Sequence, residues 1–168
     1  LLPALPEFHT RHPEIQVDLR DIDRVESSAA ASAEVLVLYG WPDSRNWVEK
    51  RIAQTRMLVC ASPDYWRTHG APKTPKMLED HNCLLFRDQE GTALDLWTYE
   101  RGSQRESASV RGWLVSSHRD DILQGALNGL GVARFSDLTV QEQLRSGDLV
   151  PVLADWESRD SPPVSLLF

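Results

Sequence analysis

The chain has only two cysteines in 168 residues. Cys60 and Cys83 both sit in apolar runs, MLVCA and NCLLF, where a buried thiol behaves as a small hydrophobe. They supply no disulfide framework and fit a reducing compartment, although one bridge between them stays open on the sequence alone. No run approaches the roughly 18–20 apolar residues of a membrane span. The first residues also lack a basic stretch followed by an apolar one, so a cytoplasmic protein without membrane attachment is expected. Positive charge is scarce: 18 Lys and Arg face 25 Asp and Glu, a net charge of −7. The basic residues are scattered, so the chain lacks the field that neutralises phosphates and is not expected to grip DNA itself. A Gly-x-Ser-x-Gly elbow, a phosphate-cradling glycine loop and internal repeats are absent as well. The chain opens on Leu1-Leu2-Pro3 without an initiator methionine and reads as a piece of a longer protein, in which a removed signal peptide would be invisible.

What is present is patterned. Hydrophobic residues make up 41% of the chain, enough for one substantial core or two small lobes. Leu1, Leu2, Leu5 and Phe8 form a helical stripe that ends at His12-Pro13, because a residue before proline is pushed out of the helix. Ile15, Val17 and Leu19 alternate with polar residues, the period of a half-exposed strand. Val35 to Tyr39 is a continuous apolar run ending at Gly40-Trp41-Pro42, which suits a parallel strand covered on both faces. Met57 to Cys60 repeats that pattern. Ser62-Pro63-Asp64 then supplies an N-cap, a first-position proline and a first-turn acid for a helix running to His69 and stopping at Gly70. Thr74-Pro75 starts another turn in the same way, ahead of a strand at Leu84 to Phe86.

Farther on, Trp97 to Tyr99 and Val110 to Val115 are expected as strands around a Gly102 turn. Ser117 with Asp120 resembles a capping box, opening a helix with Ile122, Leu123, Ala126 and Leu127 on one face. Gly129 and Gly131 end it, Val132 to Phe135 forms a strand, and Ser136-Asp137 caps a helix that stops at Gly147. Leu149 to Leu153 and Val164 to Phe168 are the last strands. Strands alternating with short helices predict an α/β architecture with largely parallel sheets.

Two serines open helices, and helix N-termini present free N–H groups and partial positive charge, so Ser62 and Ser117 are candidate anion contacts; plain capping is the competing reading. Arg134 is a candidate partner for a carboxylate, with an ordinary surface arginine as the alternative. Tyr39, Trp41 and Trp66 are candidates for an apolar pocket wall, whereas Trp47, Trp97, Trp113 and Trp156 read as core. Ser117, His118 and Asp120 are triad residue types, but sequence neighbours rarely face one another, so a small hydrolase is the weakest reading. His9 and His12 have no third ligand at local spacing, and Asp18, Asp21 and Asp23 resemble a solvated turn rather than a calcium loop. No metal, cofactor or catalytic residue is expected.

The segment Arg56 to Cys83, RMLVCASPDYWRTHGAPKTPKMLEDHNC, carries "CASPxY", "GxPxxPxxL" and "HxC" in succession and resembles the crossing region of LysR-type transcription regulators. Ala126 to Ala133 and Ser146 to Leu153 are similar to that family's "aalxGlGia" and "xxGxLvxvL", and Leu2 to Leu19 to its "LPxFxxxyPeixvdL". The resemblance implies a type 2 periplasmic-binding-protein-like α/β fold, here truncated at both ends, with two lobes joined by two crossing segments. Residues 1–59 with 161–168 would form lobe I and residues 60–160 lobe II. A winged helix-turn-helix that reads DNA would precede Leu1. The resemblance further implies a small-molecule effector held between the lobes by Tyr39, Gly40, Trp41, Ser62, Trp66, Ser117, His118, Arg134 and Ser136. It implies a homodimer or tetramer in which Leu2, Leu5 and Phe8 of one copy meet Leu123 and Leu127 of another. Tyr39 replaces an arginine frequent in the family, and Ser117 stands where many members have asparagine. The competing function on the same fold is a transport solute-binding protein.

Overall fold

The computed structural model describes residues 2–17, 35–41, 47–88 and 90–168. The backbone divides into two units, Leu1–Glu34 and Val35–Phe168. In the first, a 3-10 turn (Leu2–Ala4) leads into helix α1, Leu5–Arg11. Pro6 fits its first turn, Glu7 and Arg11 pair one turn apart at 2.5 Å, and the helix ends before His12-Pro13 as the sequence dictates. No side chain of α1 is buried. The strand expected from Ile15 does not begin there: residues 15–17 are irregular and exposed, and Leu19, the acidic turn and residues 24–33 lie outside the described residues.

The second unit is built from eleven described strands and three helices. Strands β1 (Leu36–Tyr39) and β2 (Glu49–Gln54) flank β11 (Pro163–Leu167), both antiparallel to it. Strand β3 (Met57–Ala61) lies between β8 (Ala133–Ser136) and β9 (Val150–Val152), again antiparallel. A third sheet orders β10 (Glu157–Ser158), β5 (Leu96–Arg101) and β6 (Gln104–Ser109). Only β4 (Leu85–Phe86) and β7 (Val115–Ser116) pair in parallel among the described strands, extended by parallel bridges Asn82 to Arg111 and Cys83 to Val132. The expectation of largely parallel sheets is thus corrected. Apolar runs show that a strand is buried but not which distant segment pairs with it. β1 corrects it most plainly: it is antiparallel and alternates half-buried with exposed, leaving Val37 59% exposed, because Leu36 and Leu38 alone face inward. The hairpin around Gly102 forms, but its second strand is the polar Gln104–Ser109 rather than 110–115. Glycine at φ 59° permits that turn.

Helices α2 (Pro63–His69), α3 (Arg119–Leu127) and α4 (Gln141–Ser146) complete the unit, with a 3-10 helix at Pro75–Asp80. Ser62 caps α2, its Oγ accepting from the Tyr65 N–H at 3.3 Å, and Gly70 ends the helix. Thr74 precedes the 3-10 helix without a side-chain cap bond, unlike Ser62. Burial on both faces, expected of the MLVCA run, is what β3 shows: Val59 and Ala61 join a core with Leu78, Cys83, Trp97, Tyr99 and Val132, while Cys60 joins one with Leu84, Ala126, Phe135 and Leu149. Neighbours Cys83 and Leu84, and Val132 and Ala133, divide between the two cores in the same way, because successive strand residues point to opposite faces. The two thiols therefore sit in separate cores, both free, and burial pushes each up to about 12.

Behind α2, Tyr65 stacks on His69 at 4.3 Å and its hydroxyl lies 3.3 Å from His81 Nδ1. Burial lowers the His81 pKa below 6.5, with His69 adding repulsion. The folded state therefore resists a proton that the unfolded chain accepts. Its stability contribution is intact above pH 6.5 and is lost as pH falls through the folded value. Thermal melts of His81→Gln between pH 7.5 and 5 are expected to fall less steeply with acid than those of the parent; parallel curves would remove His81 from the acid response.

Candidate functional site

The candidate residues fall into three environments. Tyr39 ends β1 and is 40% exposed, Gly40 follows with φ 131°, and Trp41 is 57% exposed. Across from this rim stands the start of α3. Ser117 and His118 are exposed there, with Ser117 Oγ 3.4 Å from His118 Nδ1. Arg119 brings the two sides together: its guanidinium lies 5.8 Å from the Tyr39 ring centroid and 4.1 Å from that of Phe86 at the end of β4.

The capping box expected at Ser117 does not form. His118 is the N-cap residue and makes no side-chain cap bond; its N–H donates instead to Ser116 Oγ at 3.0 Å, and that hydroxyl donates to Asp121 Oδ2 at 2.6 Å. Asp120 is too short to reproduce the reciprocal reach of a Glu, and it is the next residue, Asp121, that engages a hydroxyl, that of Ser116. The Ser117 hydroxyl is left at the surface. No carboxylate hydrogen-bonds His118 among the described residues, so the triad types make no relay.

Ser62 lies at the other end of α3. A Cβ on Gly129 would stand 3.3 Å from Ser62 Oγ, and nine residues of helix separate Gly129 from Ser117, about 13 Å of rise. Ser62 and Ser117 therefore do not share one anion site. Around Ser62 is a separate hollow of about 440 Å³, edged by Asn128 and by Asp64 and Asp148, and the carboxylates of the two aspartates give it negative rather than positive character.

The remaining candidates are consumed by the fold. Trp66 is buried and its Nε1 donates to the Val150 carbonyl at 2.9 Å, tying α2 to β9. Ser136 is buried and its Oγ accepts from Leu138 N–H at 3.2 Å; it closes a turn, and α4 begins only at Gln141 with Val140 as N-cap. Arg134, with 9% of its side chain exposed, donates to Asp160 Oδ2 at 3.0 Å and lies over Trp97 at 5.3 Å. Beside it the Tyr99 hydroxyl is buried with no hydrogen-bond partner among the described residues, and burial raises its pKa against the pull of the Arg134 charge.

Two residues escaped sequence reasoning. Arg119 carries a signal in hindsight: a base in the first turn opposes the helix dipole, so helix stability does not explain it. Asn82 is the other, donating from Nδ2 to Leu130 O at 2.6 Å and accepting from Trp113 N–H at 3.3 Å. It ties together two loops far apart in sequence, which no local pattern reveals.

The family model for the LysR substrate binding domain matches residues 1–166. The chain belongs to this family. It is 25% identical over 159 residues to an HTH-type transcriptional regulator of Haemophilus influenzae, covering 95% of this chain and 54% of that protein. With the transcriptional activator TtdR of Escherichia coli K12 it shares 28% identity over 160 residues, covering 93% and 50%. The chain thus spans about half the length of the curated relatives it matches. The full-length virulence activator AphB of Vibrio cholerae, an LTTR protein, matches 100% of this chain and 56% of its own with a TM-score of 0.85 at 22% identity. The fold is accordingly the two-lobed, type 2 periplasmic-binding-protein-like one that the resemblance implied. A transport solute-binding protein is not favoured, since the relatives are transcription regulators. Among the described residues no helix is long and apolar enough to cross a membrane.

Proposed function

We propose that this LysR domain is the sensing part of a cytoplasmic, one-component transcription regulator and has no catalytic role. A small-molecule effector enters between lobe I (residues 1–59 and 161–168) and lobe II (60–160) and contacts Tyr39, Gly40 and Trp41 on one side and Ser117 and His118 on the other. Binding favours one lobe arrangement over another and so changes how a homodimer or tetramer presents DNA-binding domains that precede Leu1. An effector with equal affinity for both arrangements would shift nothing. The observation that carries this reading is the family match over residues 1–166. The residues encoded before Leu1 test it: about 90 residues with a winged helix-turn-helix pattern are expected. A secretory signal peptide in their place would overturn the regulator and restore the transport reading.

Assembly is proposed to run through α1. Phe8 is 37% exposed, and Leu123 and Leu127 are only partly buried against their own core, which leaves apolar surface on both elements. Leu5 and Phe8 of one copy would meet Leu123 and Leu127 of the other, twice by symmetry. The Leu2 side chain lies outside the described residues. Phe8→Asp places a charge in that contact and is expected to weaken the dimer at least about tenfold in sedimentation. An unchanged profile would remove α1 from the interface.

A further inference from the structure

The geometry points to Arg119 as the charge-reading residue of the cleft, and to a small organic carboxylate as the class of effector it receives. This deepens the effector reading above and rests on it. Among the described residues Arg101, Arg119 and Arg134 lie over aromatic rings, and of the two nearest in role to a ligand's charge, Arg119 and Arg134, the placement differs. Arg134 is enclosed and ion-paired with Asp160. Arg119 is exposed, and among the described residues it makes no ion pair and donates no hydrogen bond. Of the two acids in the same turn, Asp121 is engaged by the Ser116 hydroxyl, and Asp120 forms no ion pair with Arg119 among the described residues.

The rings fix how Arg119 presents itself. Phe86 and Tyr39 are both close to the guanidinium, so aromatic surface lies against it while the N–H groups at its edge remain available. Such an edge matches a planar carboxylate, which accepts two parallel N–H bonds. The exposed rings of Tyr39 and Trp41 offer apolar surface to the rest of a compact ligand. Tyr39 belongs to the β1–β11–β2 sheet and Phe86 to the β4–β7 pair, so the guanidinium that would hold a carboxylate lies against rings from two separate sheets. Occupancy is in this way linked to the spacing of those sheets, which a contact confined to one of them would not achieve.

Acid and amide pairs isolate the charge. Acetate, succinate and phenylacetate, each beside its amide at about 10 mM, are to be compared in thermal melts of the parent, followed by calorimetric titration of any that stabilise it. At least one carboxylate is expected to raise the melting temperature while its amide does not. Arg119→Gln is expected to weaken that carboxylate by about tenfold or more, and Arg119→Lys, which keeps the charge but loses the fork, to fall between. If no carboxylate stabilises the parent, or if acid and amide act equally, the anion assignment is overturned. Ser117→Asp separates the two levels of the argument. Loss of binding in Ser117→Asp with none in Arg119→Gln overturns Arg119 alone. Unchanged binding in both places the ligand elsewhere and overturns the cleft reading as well.

Discussion

Gly131→Ala is expected to destabilise the domain by about 3 kcal/mol or more, and Gly112→Ala by at least as much. Segments 111–112 and 131–132 close on opposite sides of Asn82-Cys83: Cys83 N–H donates to Arg111 O at 3.0 Å, and Val132 N–H to Asn82 O at 2.9 Å. A Cβ on Gly131 would stand 2.3 Å from that Asn82 carbonyl oxygen and 2.9 Å from Leu84 Cδ2. On Gly112 it would stand 1.9 Å from the Cys83 carbonyl oxygen. Backbone held by bonds from both sides has no room to yield, so the methyl must break pairing that connects the two cores. Urea denaturation is expected to show a lower midpoint at an unchanged slope. A loss below about 1 kcal/mol for either variant would mean that the crossing of these segments is looser than described.

Arg134→Ala is expected to cost about 2–4 kcal/mol of stability, with little effect on binding in the cleft. It removes the donor to Asp160, the packing over Trp97 and the positive charge beside the buried Tyr99 hydroxyl. Arg134→Met separates those contributions. Asp160 keeps 46% of its side chain exposed and stays hydrated when unpaired, so an isosteric apolar chain should recover most of the loss. Equal losses in the two variants would assign the effect to the ion pair instead of to packing.

Much of this was legible in the sequence. Helix α2 followed from Ser62-Pro63-Asp64 and Gly70, because capping needs only groups within one turn. The end of α1 at His12-Pro13 and the end of α4 at Gly147 followed from backbone sterics of single residues. The two-sided burial of β3 followed from an unbroken apolar run, and the family from motifs at fixed spacing around Cys60 and Cys83. These are local properties, and local physical chemistry determines them.

What only the tertiary structure decided is which distant groups meet. The same kind of apolar run gave a buried β3 and a half-exposed β1, because the strand β1 pairs with, β11, is more than a hundred residues away. Ser62 and Ser117 looked equivalent as helix openers, yet α3 holds them apart, and Ser116 rather than Ser117 took up the first-turn carboxylate. Arg134 was a candidate for a ligand's charge until Asp160 and Trp97 enclosed it, while Arg119, unremarked in the sequence, emerged beside two rings supplied by β1 and β4. A side chain's chemistry is fixed by its type, but its availability depends on what the fold brings within a few ångströms of it, and those neighbours are set by long-range pairing that sequence spacing does not encode.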